Sequence, residues 1–167
     1  MSSFTKTSIL GIFISPGHDF KGRHGKSRLN HGSESVNSVE CLAGRGLVGD
    51  RFLDYKENFK GQVTFFDVNE AKQLEASLGL KDFDISQLRR NILIEGAELM
   101  QWIGKSFKIG EVVFEGVEEC APCYWMNEVL GRGAETLMQG RGGLRCRILE
   151  PGTLRVGPVE LQGITNG

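Results

Sequence analysis

The sequence predicts a mainly β fold, a closed or nearly closed β-barrel with a few short helices, and three observations carry that expectation. Seven or more short runs of apolar and β-branched residues recur along the chain, bounded by turn residues. Glycine supplies 23 of 167 residues, roughly twice the ~7% average, as tight turns between many strands require. Segments with helical periodicity are few and short, so the strands must bury their apolar faces largely against one another.

Taken in order, Ile9 to Ser15 alternates around Gly11 and reads as a first strand. Pro16 to Gly32 is too polar and glycine-rich to pack, and its Lys21, Arg23, His24, Lys26 and Arg28 make it the most basic stretch of the chain. Two readings of that stretch stand side by side: an anion-binding rim with free backbone N–H groups, or a solvated loop. Val36 to Leu42 reads as a second strand. Ala43 to Phe52 follows as a glycine-punctuated loop carrying Arg45, Asp50 and Arg51, and it lacks both the Gly-Lys-Ser/Thr ending of a phosphate loop and a dinucleotide fingerprint. Gln62 to Phe66 is a third strand. Asp67 caps a helix, with Glu70 at the capping-box position and Ala71, Leu74 and Leu78 on one stripe before Gly79 stops it.

Ile85 to Leu88 reads as a helical turn that delivers Arg89, Arg90 and Asn91 to the strand Ile92 to Ile94. Adjacent arginines on an extended segment point to opposite faces, so at most one easily faces a site. Trp102 belongs to a packed connector. Phe107 to Glu119 alternates as a strand pair turning at Gly110-Glu111. Ala134 to Met138 is helix-like, Arg141 to Leu149 becomes a strand, and Leu154–Val156 with Val159–Leu161 finish the chain as paired strands, with helices expected to plug the barrel ends.

The length suits one domain over 1–167, large enough to bury a core without staples. A formal charge of −1 provides no global field toward nucleic acid or membrane, so neither is expected as a partner. The apolar run Ser8 to Ile14 is too short to span a bilayer and lacks a cleavage pattern, and four cysteines without a secretory signal suit a reducing, cytoplasmic setting.

Chemistry concentrates in Cys120-Ala121-Pro122-Cys123-Tyr124-Trp125, at a strand end. Pro122 lacks an N–H and holds Ala121 extended, which ends the ladder and lifts Cys123 out of it. A helix beginning near Cys123 would favour its thiolate, whereas Cys120 follows two carboxylates, Glu118 and Glu119. Cys123 is therefore the better nucleophile or soft-metal ligand, with Cys120 as its companion. Other readings compete. Cysteines are often inert apolar filling. A zinc site is disfavoured because Cys41 and Cys146 make no second pair, and a thioredoxin-like dithiol expects a βαβ setting that the antiparallel-looking surroundings do not supply.

With these pieces placed, the chain resembles the MOSC domain family, named for the C-terminal domain of molybdenum cofactor sulfurases. The matching stretches are Gly46-Leu-Val-Gly-Asp-Arg51, Arg89-Arg-Asn-Ile-Leu-Ile-Glu-Gly96, Gly104 with Phe107-Lys-Ile-Gly110, Cys120-Ala-Pro-Cys123, and Gly143 through Gly157 with its Pro-Gly turn. The resemblance implies a barrel like that of pyruvate kinase, and a family cysteine falling on Cys123 that either ligates the molybdenum of the pterin cofactor or carries sulfur. Implied activities are reduction of N-hydroxylated compounds, cofactor carriage, or persulfide transfer with Cys120 resolving a disulfide. A non-catalytic module for anions or a partner protein stands as a further alternative. The pterin cofactor carries phosphate, and Arg45, Arg51, Arg89, Arg90, Asn91, Arg141 and Arg145 are the candidates to hold it. Partners would be that cofactor or a sulfur donor, with electrons or sulfur from a separate electron-transfer or sulfurtransferase protein, since no flavin or iron–sulfur motif is present. Pyridoxal phosphate and zinc are not expected.

Overall fold

The structure, a computed structural model, describes residues 4–16, 33–81, 84–122 and 125–164. Its strands are β1 (Phe4–Ile14), β2 (Glu34–Val36), β3 (Ser38–Leu42), β4 (Gly46–Leu47), β5 (Val63–Asp67), β6 (Ile92–Glu95), β7 (Ser106–Ile109), β8 (Val112–Glu119), β9 (Leu144–Glu150), β10 (Gly152–Arg155) and β11 (Gly157–Ile164). The helices are α1 (Val68–Leu78), α2 (Trp125–Leu130) and α3 (Ala134–Leu137).

Among the described residues a 7-strand barrel closes in the order β1, β11, β7, β8, β9, β5, β6 and back to β1. Closure rests on β1, long enough at 11 residues to pair with β11 through its first half and with β6 through its second. The β5–β6 pairing is parallel and the others around the barrel are antiparallel. Strand alternation sorts side chains to two environments. Phe65, Phe107 and Phe114 point inward and meet with ring centroids 5.1–5.9 Å apart. All three are fully buried, each adding about 2–3 kcal/mol of apolar transfer free energy. Phe66, next along β5, points outward into a second cluster with Ala71, Leu74, Leu88, Met126, Leu130, Ala134 and Met138.

That second cluster corrects part of one expectation. The three α-helices lie against the outer wall of the barrel, because Phe66 and the partly buried Leu93 leave an apolar patch on the outside of β5 and β6 that only a covering layer removes from water, whereas the 3-10 turn Leu99–Trp102 packs Leu99 and Trp102 on the barrel core. Asp67 caps α1 as expected, accepting from Asn69 N at 2.8 Å. Glu70 has no bond back to the cap among those observed; it pairs with Arg141 at 3.6 Å.

Two further expectations change. Val36 to Leu42 is not one strand: the chain turns a corner at Asn37, whose carbonyl accepts from Val156 N at 2.9 Å, so β2 extends the barrel sheet while β3 joins β4 and β10 in a separate small sheet. Likewise β10 and β11 do not pair with each other. Gly157, at φ 130°, redirects the chain, sending β10 to β3 and β11 between β1 and β7.

Candidate functional site

One mouth of the barrel opens into a cleft of about 360 Å3, lined by Arg51, Phe52, Gly61, Thr64, Arg89, Arg90, Asn91, Glu118, Glu119, Cys120, Ala121 and Arg145. The starts of β5, β6 and β9 and the end of β8 supply most of these positions. Four guanidinium groups face two carboxylates there, a locally positive site in a chain of formal charge −1. A larger groove of about 570 Å3 runs beside Lys6, Ser8, Glu95 and Glu160. It holds no thiol and a single cation, so size and chemistry point to different places and the chemistry decides for the smaller cleft.

The two adjacent arginines both line the cleft, against the expectation that only one would face a site. The physical reason is that Arg89 is not extended: it caps the 3-10 turn Ile85–Leu88 in the left-handed region at φ 58°, which breaks strand alternation. Its guanidinium donates to the Ser15 hydroxyl at the end of β1. Arg90 spends its donors on backbone carbonyls, Gly142 at 2.7 Å, Leu88 at 3.0 Å and Cys120 at 3.3 Å.

Asn91, 3% exposed, is a cross-brace. Its Oδ1 accepts from Thr64 N at 3.0 Å and Thr64 Oγ1 at 3.1 Å, while Nδ2 donates to Phe13 O at 3.0 Å and Asp50 Oδ1 at 3.5 Å. Asp50 in turn accepts from Ser15 N at 3.0 Å and Phe52 N at 3.3 Å. The Gly-Asp-Arg and Arg-Asn-Ile stretches, distant in sequence, thus meet in one buried network that places Arg51 at the mouth. Arg51 lies 3.4 Å from Asp50 and 4.5 Å above the Phe52 ring, with its side chain 11% exposed.

Arg145 also lines the cleft. It stands 5.2 Å over Phe59, pairs with Glu118 at 3.0 Å, and crosses Gly61 so closely that a Cβ there would come within 2.8 Å of its Nε. The β8–β9 ladder shifts register between Gly116 and Glu118, and beyond the shift Glu118 pairs with Arg145 and Glu119 with Leu144, both at the cleft end of β8.

Cys120 is half-buried, with its N–H donating to Gly143 O at 2.7 Å. Cys123 lies outside the described residues, as do the basic residues Lys21, Arg23, His24, Lys26 and Arg28. α2 starts at Trp125 and is 6 residues long. Cys41 and Cys146 are buried in the barrel core, where desolvation pushes the Cys41 thiol up to about 12 and the Cys146 thiol well above its ordinary range. Arg45 and Arg141 stand apart from the cleft. Arg45 makes an exposed bidentate pair with Asp54 at 2.7 and 2.8 Å, and Arg141 meets Gln73 and Glu70 on α1.

The sequence reading does not single out Phe52, Gly61 or Thr64 as cleft residues. Gly61, directly ahead of a strand, carries the one usable signal, that of close approach by another group.

A closed barrel presenting a thiol among guanidinium groups at one mouth defines the class to which the comparisons lead. Residues 30–159 match the MOSC domain, and the chain belongs to that family, which is associated with molybdenum cofactor binding or sulfur transfer. The fold is similar to that of YuaD protein from Bacillus subtilis, with TM-score 0.79 and 16% identity over 99% of this chain and 100% of that one. It is also similar to YiiM from Escherichia coli, with TM-score 0.66 and 16% identity over 99% and 71%. YiiM from Geobacillus stearothermophilus gives TM-score 0.68 and 14% identity over 96% and 76%. Comparison with curated proteins gives no match.

Proposed function

We propose that this chain binds molybdenum cofactor at the barrel mouth through the Cys123 thiolate, and acts either as a reductase of N-hydroxylated compounds or as a carrier of the cofactor. The observation that carries the reading is the convergence of Arg51, Arg89 and Arg145 on one cleft with Cys120, three residues before Cys123. The donor set fits the group. Guanidinium groups suit a phosphate, which they can bind bidentately, and thiolate suits a soft metal. Among the described residues no three His, Cys, Asp or Glu side chains converge to hold a metal ion. When bound, the group supplies two-electron redox chemistry. The chain's own residues bind and orient it: Arg51 and Arg145 from the cleft lining, with Asn91 and Asp50 fixing the Arg51 loop. Electrons for a reductase would come from a separate protein.

Co-expression in a host that makes the cofactor tests this. Molybdenum should copurify with the wild type and be lost in Cys123→Ser, while Arg145→Gln weakens retention. Equal metal in wild type and Cys123→Ser would remove the ligand assignment.

A second reading, sulfur transfer without a bound metal, draws on the half-buried Cys120 so near in sequence. Cys123 would attack the terminal sulfur of a donor persulfide as a thiolate, the donor leaving as its own thiolate, and Cys120 would later displace hydrosulfide to form a disulfide. A mass gain of ~32 Da on Cys123 after incubation with a cysteine desulfurase and cysteine is its signature. A gain on Cys41 or Cys146 alone would exclude it.

A further inference from the structure

We infer that Arg90 is a positioning residue for the cysteine segment and not an anion ligand, although it lines the same cleft as Arg51 and Arg145. The inference rests on the functional reading above only in treating that segment as the reactive one. The Cys120 peptide is fastened on both sides. Its N–H donates to Gly143 O at 2.7 Å, and its carbonyl accepts from Arg90 Nη2 at 3.3 Å. The same guanidinium donates through Nε to Gly142 O at 2.7 Å and through Nη1 to Leu88 O at 3.0 Å. One rigid planar group therefore ties the entry to β6, the turn before β9 and the end of β8 into one assembly, using every one of its nitrogens.

Gly142 completes the fastening. A Cβ there would overlap the Cys120 carbonyl oxygen, so only glycine lets the two backbones approach this closely, and Gly142 N lies 3.4 Å from a Glu119 carboxylate oxygen. Beyond this point the chain passes Ala121 and Pro122 toward Cys123. The anchor thus sits immediately before the reactive stretch. Lysine carries its three donors on one nitrogen, whereas here Nε, Nη1 and Nη2 each reach a different carbonyl, so the guanidinium fork is what the geometry uses. Arg145, by contrast, is held by an aromatic face and a carboxylate as it crosses Gly61, and none of its observed bonds reaches the cysteine segment.

The two roles separate experimentally in the full-length chain without cofactor. Alkylation of Cys120 by iodoacetamide is followed by mass spectrometry across pH. The plateau rate at high pH reports access and geometry without the charge effect. In Arg90→Gln that plateau should rise about tenfold, the change that loss of one charge-assisted hydrogen bond makes in a local opening equilibrium. Arg90→Lys should recover little of it, and Arg145→Gln should leave it at the wild-type value. Buried Cys41 and Cys146 serve as internal controls: they should stay unlabelled on the timescale of the Cys120 reaction. Acceleration shared by those two thiols means global opening and overturns the assignment, as does an unchanged Cys120 plateau.

The companion measurement is binding of inorganic phosphate at several salt concentrations. Arg145→Gln should weaken it and flatten its salt dependence, whereas Arg90→Gln should keep the wild-type salt dependence. A flattened dependence in Arg90→Gln would make Arg90 an anion ligand and overturn the inference. If phosphate fails to bind even the wild type, the arginine-lined cleft loses its role as an anion site, while the alkylation arm still decides the role of Arg90.

Discussion

Two of the four thiols have no access to water, and at the scale of single residues this decides which can react. Cys41 on β3 and Cys146 on β9 are fully buried, and desolvation raises both. The consequence for stability has a definite sign. Where the folded thiols hold their protons and the unfolded ones have begun to lose theirs, the unfolded state binds fewer protons and stability falls as pH rises. The window opens at the ordinary value of 9.0 and extends towards about 12 for Cys41. Below it the contribution is fully present. Urea midpoints measured from about pH 8 to about pH 10.5 should decline, and Cys146→Ala should make the decline shallower. An identical slope in the variant would remove Cys146 as its source. The sequence separated these two cysteines from the C-x-x-C pair by spacing alone, but their burial depends on facing inward from a closed wall.

Asn91 shows what matters at the scale of elements. It joins the start of β6 to Thr64 on β5, to Phe13 on β1 and to Asp50 in the loop after β4. Asn91→Ala would strand several buried polar groups at once, and a cost of about 3 kcal/mol is expected, read from urea unfolding. Because Asp50 would lose a donor, Arg51 should also lose its fixed approach, and phosphate affinity should fall together with stability. A loss of stability below about 1 kcal/mol would mean that water replaces the network. The sequence identified Asn91 as a site residue from its company in the Arg-Asn-Ile stretch. It could not tell a ligand from a brace, since either use needs the same amide. Nor could it place Arg89 correctly, because a left-handed non-glycine cap carries no strong local signal.

At the scale of the whole molecule, β11 is the closing strand, paired with β1 on one edge and β7 on the other. Thr7 Oγ1 adds a bond to Val159 O at 2.6 Å across that seam, and Leu161 is buried in the barrel core. Leu161→Ala should cost about 3 kcal/mol as a cavity in a packed interior. Removing residues 157–164 should do more: it leaves edges on β1 and β7 and opens the core, so the cooperative thermal transition should disappear. A truncated chain that still unfolds cooperatively would show that the remaining strands suffice. The cleft depends on this closure too, since its walls come from strands far apart in sequence.

What the sequence determined by itself was the local grammar. Strand alternation, the turn at Gly110, the cap at Asp67, the stop at Gly79 and the reactive spacing Cys120-x-x-Cys123 are all written within a few residues, because hydrophobic period and turn chemistry act over that range. The β-rich class followed from their number, and the family from their order. The tertiary structure alone decided which strands pair, that the helices cover the outer wall, and that Arg51, Arg89, Arg90 and Arg145 share a mouth while Arg45 and Arg141 do not. The physical reason is that these outcomes depend on closing long loops and burying both faces of β5, and no short stretch of sequence records where its distant partners will lie.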